Sequence, residues 1–303
     1  MTGKKWMVFG IAAVILIAAC AGWIVFHWQT PTSTTGQNRE EEERSQNSDP
    51  SYSYGKREID VTNKGQNIYG VAYVPKGKSG EMPLVICCHG LGGSYINNED
   101  YAVSLASRGI AAYCFDFRGG GGSRSDGKTT DMSIMTEVSD IEAVLDAASQ
   151  WKFVDPDQVV LLGTSQGGAA SAIAAARHKD EIAGAILLYP AFLMHDEIHR
   201  QFASLDDVPD SFFFRWITLG KIYAEDIWNY DIYDEIGNYD QKVLLMHGDQ
   251  DDIVPIRYSE RASRVYPDAD YYVIPGAGHG FYGESFRQAE KYIIDYLQEI
   301  KVL

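Results

Sequence analysis

The chain has 303 residues, 45% of them hydrophobic and 12% aromatic, enough to bury a sizeable core and to exclude wholesale disorder. Its net charge of −16 and pI near 4.8 oppose a phosphate backbone, so nucleic acid is not an expected partner. Four cysteines are too few for a disulfide-dense scaffold.

The N-terminus differs in kind from the rest. Trp6–Trp28 reads WMVFGIAAVILIAACAGWIVFHW, without a formal charge. As a helix it would measure about 34 Å, enough for a bilayer core of about 30 Å. Trp6, Trp23 and Trp28 lie towards its ends, where indole rings favour the interface. Lys4 and Lys5 precede it and Arg39 is the first cation after it, so residues 1–5 are expected in the cytoplasm and the remainder outside. A cleaved signal would have a shorter apolar core. Ile17-Ala18-Ala19-Cys20 also resembles a bacterial lipoprotein box, with Cys20 lipidated. The apolar run continues well past Cys20, which favours an uncleaved anchor over residues 6–28. Residues 29–56 read as a disordered acidic linker, and residues 58–303 carry a charge of −17.

Arg57–Val61 and Ile68–Val74 are expected strands joined through Asn63-Lys64-Gly65, a hairpin signal. Strands and helices then alternate. Leu84–Cys88 is a continuous apolar run, as in a strand buried on both faces. A helix near Glu99–Ser107 precedes the strand IAAYCFDF, and a helix from about Met135 to Trp151 follows, with Ser133 as its candidate cap. Val159–Gly163 leads into an Ala-rich helix, and AGAILLY supplies the next strand. Later come VLLMHG, a helix near Ile256–Val265, the strand YYVI and a closing helix over Gly283–Lys301. Such alternation predicts a mostly parallel sheet with helices on both faces. Residues 191–240 are too long for a plain loop, rich in large aromatics, and read as an inserted helical cap.

Gly163-Thr164-Ser165-Gln166-Gly167 is a G-x-S-x-G. Alone it is a weak signal. Here it follows an apolar strand and opens a small-residue helix, the context that a nucleophile elbow requires. A serine nucleophile needs a base, and the base an orienting carboxylate, in the order Ser, Asp or Glu, His. His279, in PGAGHGF, is the histidine that follows both Ser165 and an acidic loop at a later strand end. That loop, HGDQDDIVP, offers Asp249, Asp251 and Asp252, and spacing alone does not choose among them.

From about residue 57 onward the chain resembles the α/β-hydrolase superfamily, and especially its cinnamoyl/feruloyl esterase-like members. The matching pieces are HGLGG, SDGKTTDMSIMTEVSDIEAVLDAA, GTSQGG, HGDQDDIVP and GAGHGF, in the family's order. The resemblance implies an α/β-hydrolase fold over residues 57–303 with a cap of about fifty residues. It selects Asp251 from the acid loop, written H-G-x-x-D-x-x-V-P in the family, and assigns the oxyanion-binding amides to Leu91 and Gln166. Because the triad already has its histidine, His89 reads as a structural histidine bracing the HGLGG loop. A serine esterase acting through an acyl-enzyme is implied, with a small-molecule ester as substrate and no metal or organic cofactor. An acylglycerol lipase and a serine aminopeptidase are rivals on the same fold, and a non-catalytic binding protein is the rival of a different class.

The aromatic cap suggests an apolar or aromatic acyl group, with Trp216, Trp228 and Phe213 as candidate substrate contacts; the same rings would equally serve to glue the cap to the core. Residues 122–129 match the P-loop pattern G-x-x-x-x-G-K-[ST], but intervening residues separate them from the strand before and the helix after. His195 and His199 stand at i and i+4, without the glutamate of a zinc-protease motif. They read as surface or cap-packing residues. Of the strand cysteines, Cys88 with Cys114 is the pair to inspect for a disulfide.

Overall fold

The computed structural model describes residues 51–303 apart from Ser123. The expected anchor, the Cys20 box and most of the expected linker lie outside the described residues, among which no helix is long and apolar enough to cross a membrane.

In chain order the elements are β1 (Tyr54–Glu58), β2 (Val61–Asn63), β3 (Gln66–Ile68), β4 (Gly70–Pro75), β5 (Met82–Cys88), α1 (Glu99–Ser107), β6 (Ala111–Phe115), α2 (Ile134–Ala148), β7 (Val154–Thr164) and α3 (Gln166–Arg177). Then follow β8 (Gly184–Leu188), α4 (Met194–Gln201), β9 (Ser211–Phe214), β10 (Ile217–Gly220), α5 (Lys221–Ile227) and α6 (Ile232–Ile236). The chain closes with β11 (Val243–Gly248), α7 (Arg257–Val265), β12 (Ala269–Ile274) and α8 (Glu284–Glu299). Eight strands form one sheet in the order β1-β4-β6-β5-β7-β8-β11-β12. β4 runs antiparallel to both β1 and β6, and the pairs from β6 to β12 are parallel.

β5 explains why the sheet is covered twice. Leu84, Ile86 and Cys88 enter one core, and Val85 and Cys87 the other; successive side chains point to opposite faces, and both sets are apolar. α1 and α8 cover one face through Tyr101, Leu105, Ile293 and Leu297. α2, α3 and α7 cover the other through Val138, Ile141, Ile173 and Ala262. Ser133 caps α2, its hydroxyl accepting from the Thr136 amide at 3.2 Å while Thr136 Oγ1 accepts from the Ser133 amide at 2.9 Å. Two of the four unpaired amides at that helix end are thereby satisfied.

Three expectations shift. The first antiparallel partner of β4 is β1, which begins inside the segment read as linker and pairs Tyr54 with Pro75. The Lys64-Gly65 turn instead closes a separate small hairpin of β2 and β3, with both residues at positive φ. The cap is not wholly helical: its Phe-rich stretch forms the β9–β10 hairpin. There Phe212 and Phe214 point inward and Phe213 outward, the period of two that SFFF-R-W-ITLG contained without enough length to declare it. Cys114 stands beside Cys87, not Cys88, in the parallel register. All three strand cysteines are buried free thiols.

Candidate active site

Ser165 sits between the end of β7 and the start of α3, with φ +53° and ψ −120°, a region unfavourable for a residue with a Cβ. The flanking glycines make the crossing feasible. A Cβ on Gly167 would lie 2.3 Å from the His89 carbonyl oxygen, and one on Gly163 would lie 2.4 Å from the Gly167 oxygen. The elbow therefore presses β5, β7 and α3 together at backbone distance and leaves Ser165 proud of the sheet.

The loops after β11 and β12 bring the other two residues to it. Ser165 Oγ is 2.9 Å from His279 Nε2, and His279 Nδ1 is 2.8 Å from Asp251 Oδ2. Neither Asp249 nor Asp252 takes this position. Asp249 Oδ1 instead accepts from the Gly276 amide at 2.7 Å, bracing the histidine loop. The Asp251 carboxylate is fully buried. Its Oδ1 accepts from the amides of Ile253 and Val254 at 2.9 and 2.8 Å, and its Oδ2 also lies 3.1 Å from His247 Nε2. Burial pushes this carboxyl up, but the hydrogen bonds from His247, His279 and the Val254 amide outweigh it and hold the group well below the usual carboxylate range. It is an anion throughout the working pH range. Accepting from Nδ1–H, it leaves the His279 Nε2 lone pair facing Ser165.

Leu91 and Gln166 line the same space as Ser165, and the start of the HGLGG loop is close: a Cβ on Gly90 would lie 3.0 Å from Ser165 Cβ. His89 braces that loop. Its Nδ1–H donates to the Gly90 carbonyl at 2.8 Å and its Nε2 accepts from the Phe117 amide at 3.1 Å. Burial pushes its imidazole below the usual histidine range, so it is neutral and both ring nitrogens are occupied.

The space around Ser165 has two lobes. The outer, about 240 Å³, is lined by His279, Tyr189, Tyr282 and Trp216. The inner, about 30 Å³, runs beneath the cap past Gln166, Met194, Tyr223 and Arg215. Trp216 lines both and touches the HGLGG loop, its Nε1 3.1 Å from where a Gly92 Cβ would be. Phe213 and Trp228 line neither lobe. Strand alternation turns Phe213 to solvent, 65% exposed. Trp228 packs on His199, with ring centroids 4.1 Å apart, and its carbonyl accepts from His199 Nε2 at 2.7 Å. His195 in turn packs its ring against His199, with centroids 4.4 Å apart. Residues 124–128 form a loop tied back through Asp116 and Asp126, which enters a single 3-10 turn at Thr129–Asp131 and not the α-helix that a P-loop requires.

Several residues at the site carried no sequence signal. The Gln166 side chain is buried and donates to Glu137 Oε1 at 2.8 Å, while its Oε1 accepts from Tyr223 OH at 2.8 Å. Glu137 belongs to α2 and Tyr223 to the cap, so one network joins the elbow to both. Burial pushes the Glu137 carboxyl well above the usual range and so favours its neutral form. His247 is the other omission; the H of the H-G opening the acid loop was its only trace.

A family model described as serine aminopeptidase, S33, matches residues 81–235, half of the chain, and one described as α/β hydrolase fold matches residues 214–286. The structure of Est1E from Butyrivibrio proteoclasticus with bound ferulic acid has a TM-score of 0.71 at 26% identity, over 79% of this chain and 99% of that one. An esterase from Exiguobacterium antarcticum shares the fold, with a TM-score of 0.62 at 17% identity over 80% and 100% of the two chains. An uncharacterised protein of Mycobacterium tuberculosis is 28% identical over 74% of this chain and 72% of its own length. With its sheet order, elbow and matching family model, the chain belongs to the serine aminopeptidase S33 family of α/β hydrolases.

Proposed function

We propose that the protein hydrolyses carboxylic esters through an acyl-enzyme on Ser165. The observation that carries this reading is the series of contacts Ser165–His279–Asp251, at 2.9 and 2.8 Å. His279 Nε2 takes the serine proton as Oγ bonds to the ester carbonyl carbon. The amides of Leu91 and Gln166 receive the developing oxyanion. His279 then protonates the leaving alcohol, and the C–O bond breaks. A water deprotonated by His279 attacks the acyl carbon, and Ser165 leaves with its proton restored. Asp251 holds the tautomer and stabilises the imidazolium. The leaving alcohol must meet His279 Nε2, so it occupies the outer lobe and the acyl group the inner one.

An aminopeptidase would need a carboxylate free to hold the substrate ammonium. Glu197 is the one glutamate lining the inner lobe, none lines the outer, and Arg215 already occupies it. This favours ester over aminoacyl substrates. Ferulic acid bound in the Butyrivibrio relative favours a second reading, a hydroxycinnamoyl ester, which requires the inner lobe to widen. In the same reading residues 6–28 anchor the enzyme with its catalytic domain outside the membrane. Retention in the membrane pellet after alkaline carbonate supports that placement, and release opposes it.

Ser165→Ala tests the centre of the proposal. Hydrolysis of nitrophenyl acetate should fall by about 10³-fold or more, and fluorophosphonate labelling should vanish. Parental turnover by that variant would refute the assignment. Parallel rates on methyl ferulate and an aminoacyl anilide separate the two readings from the peptidase, and cleavage of the anilide alone would reject the esterase.

A further inference from the structure

Beyond the inner lobe lies a second, largely solvent-open hollow of about 280 Å³, lined by Glu197, Arg200, Gln201, Phe214 and Arg215. Glu197, Phe214 and Arg215 line both spaces, so these three side chains are the partition between them. Arg215 is held by three hydrogen bonds to two residues. Its Nε donates to Glu197 Oε2 at 3.3 Å, its Nη2 to Glu197 Oε1, and Nη2 also to the Ile253 carbonyl at 3.1 Å. The contact thus joins cap helix α4, the cap hairpin and the loop that carries Asp251.

Arg215 also stands where an arginine is unfavourable. It is the first of two turn residues between β9 and β10 and has φ +58°, whereas Trp216 is not at positive φ. A hairpin turn of this form favours glycine at its first position. Local backbone preference therefore does not account for the residue, and its side chain does. The inner lobe it closes, at about 30 Å³, has room for about two water-sized groups, since one needs about 10–15 Å³. An acetyl or propionyl group fits that space and a longer chain meets the guanidinium.

We propose that the Arg215–Glu197 pair sets the acyl-chain length of the substrate, closing the acyl lobe to short-chain esters and, when withdrawn, opening it into the 280 Å³ hollow. The inference rests on the ester-hydrolase reading of Ser165. Arg215→Gly takes the guanidinium out of the partition, leaving Glu197 and Phe214, and suits the turn's positive φ, so the hairpin is retained. Glu197→Gln keeps the shape and weakens the hold on the guanidinium.

The experiment compares kcat/KM for nitrophenyl octanoate and nitrophenyl acetate in the full-length wild type and both variants, with fluorophosphonate labelling of Ser165 in each. Burying one methylene is worth about fourfold, so two or more admitted methylenes should raise the octanoate-to-acetate ratio by about tenfold or more in Arg215→Gly. Glu197→Gln should raise it by a smaller factor, with the gain in KM more than in kcat. A ratio that stays within about threefold of the wild type in Arg215→Gly, or a wild type that already prefers octanoate, overturns the partition. Absence of both labelling and acetate hydrolysis in the wild type would instead overturn the reading of Ser165, a distinguishable result.

Discussion

Glu137→Gln probes the buried network beneath the elbow. Glu137 is 1% exposed, its Oε1 accepts from Gln166 and its Oε2 has no partner among the described residues. Glutamine reproduces the accepting oxygen and places its NH₂ where the unpartnered oxygen was, so the shape is preserved. In the folded chain the carboxyl is held well above the usual range, whereas an unfolded glutamate ionises near about 4.3. Above that pH, unfolding releases a proton from this residue. Its contribution to stability is therefore complete at lower pH and is lost as pH rises towards the folded ionisation point. One proton corresponds to about 1.4 kcal/mol per pH unit. Glutamine has no such proton, so the stability of the wild type relative to Glu137→Gln should fall by about 1.4 kcal/mol per unit from pH 5 upward. Urea unfolding followed by tryptophan fluorescence, at half-unit pH steps, reads this difference, and groups common to both proteins cancel. If the two stability curves run parallel, Glu137 ionises in the fold as it does in the unfolded chain, and the buried neutral acid is refuted.

Three further outcomes follow from the elbow and the relay. Asp251→Asn should keep the fold and lower kcat by about 10³–10⁴-fold, because the amide no longer selects the His279 tautomer; steady-state kinetics with loss of less than about tenfold would remove Asp251 from the relay. Ser165→Gly should be about 1 kcal/mol more stable than Ser165→Ala, since only glycine relaxes φ +53°; equal urea midpoints would mean that the elbow is unstrained. Gly167→Ala forces a Cβ within 2.3 and 2.4 Å of the His89 and Cys88 carbonyl oxygens, and should cost about 2–3 kcal/mol of overpacking. A thermal midpoint unchanged from the wild type would contradict that close approach.

The order of motifs and the change from hairpin to strand–helix alternation were legible because they are local properties. A strand buried on both faces must be apolar throughout, as Leu84–Cys88 is, and a helix start needs a cap, as Ser133 provides. The same locality made Ser165 readable, since its turn can be built only with small residues at 163 and 167. His279 was readable through chain order and the glycines around it. By contrast, the three aspartates of HGDQDDIVP have nearly equal local credentials. Asp251 is distinguished by reaching His279, 28 positions away, and by the two amides that bind its other oxygen.

The sequence by itself determined a core able to cover a parallel sheet on both faces, a serine on a strand-to-helix turn, and an acidic folded part following an uncharged apolar stretch. Tertiary structure alone decided what depends on contacts between distant segments. It turned Phe213 outward and set Trp216 in the wall of the space that Ser165 lines, because a short hairpin takes its facing from what it packs against. It buried Glu137 under Gln166 and raised its carboxyl above the usual range, because burial is a property of the surroundings and not of the residue. It also put Arg215 against Glu197 at the end of the inner lobe, where two exposed-looking charges in the chain become one wall of that space.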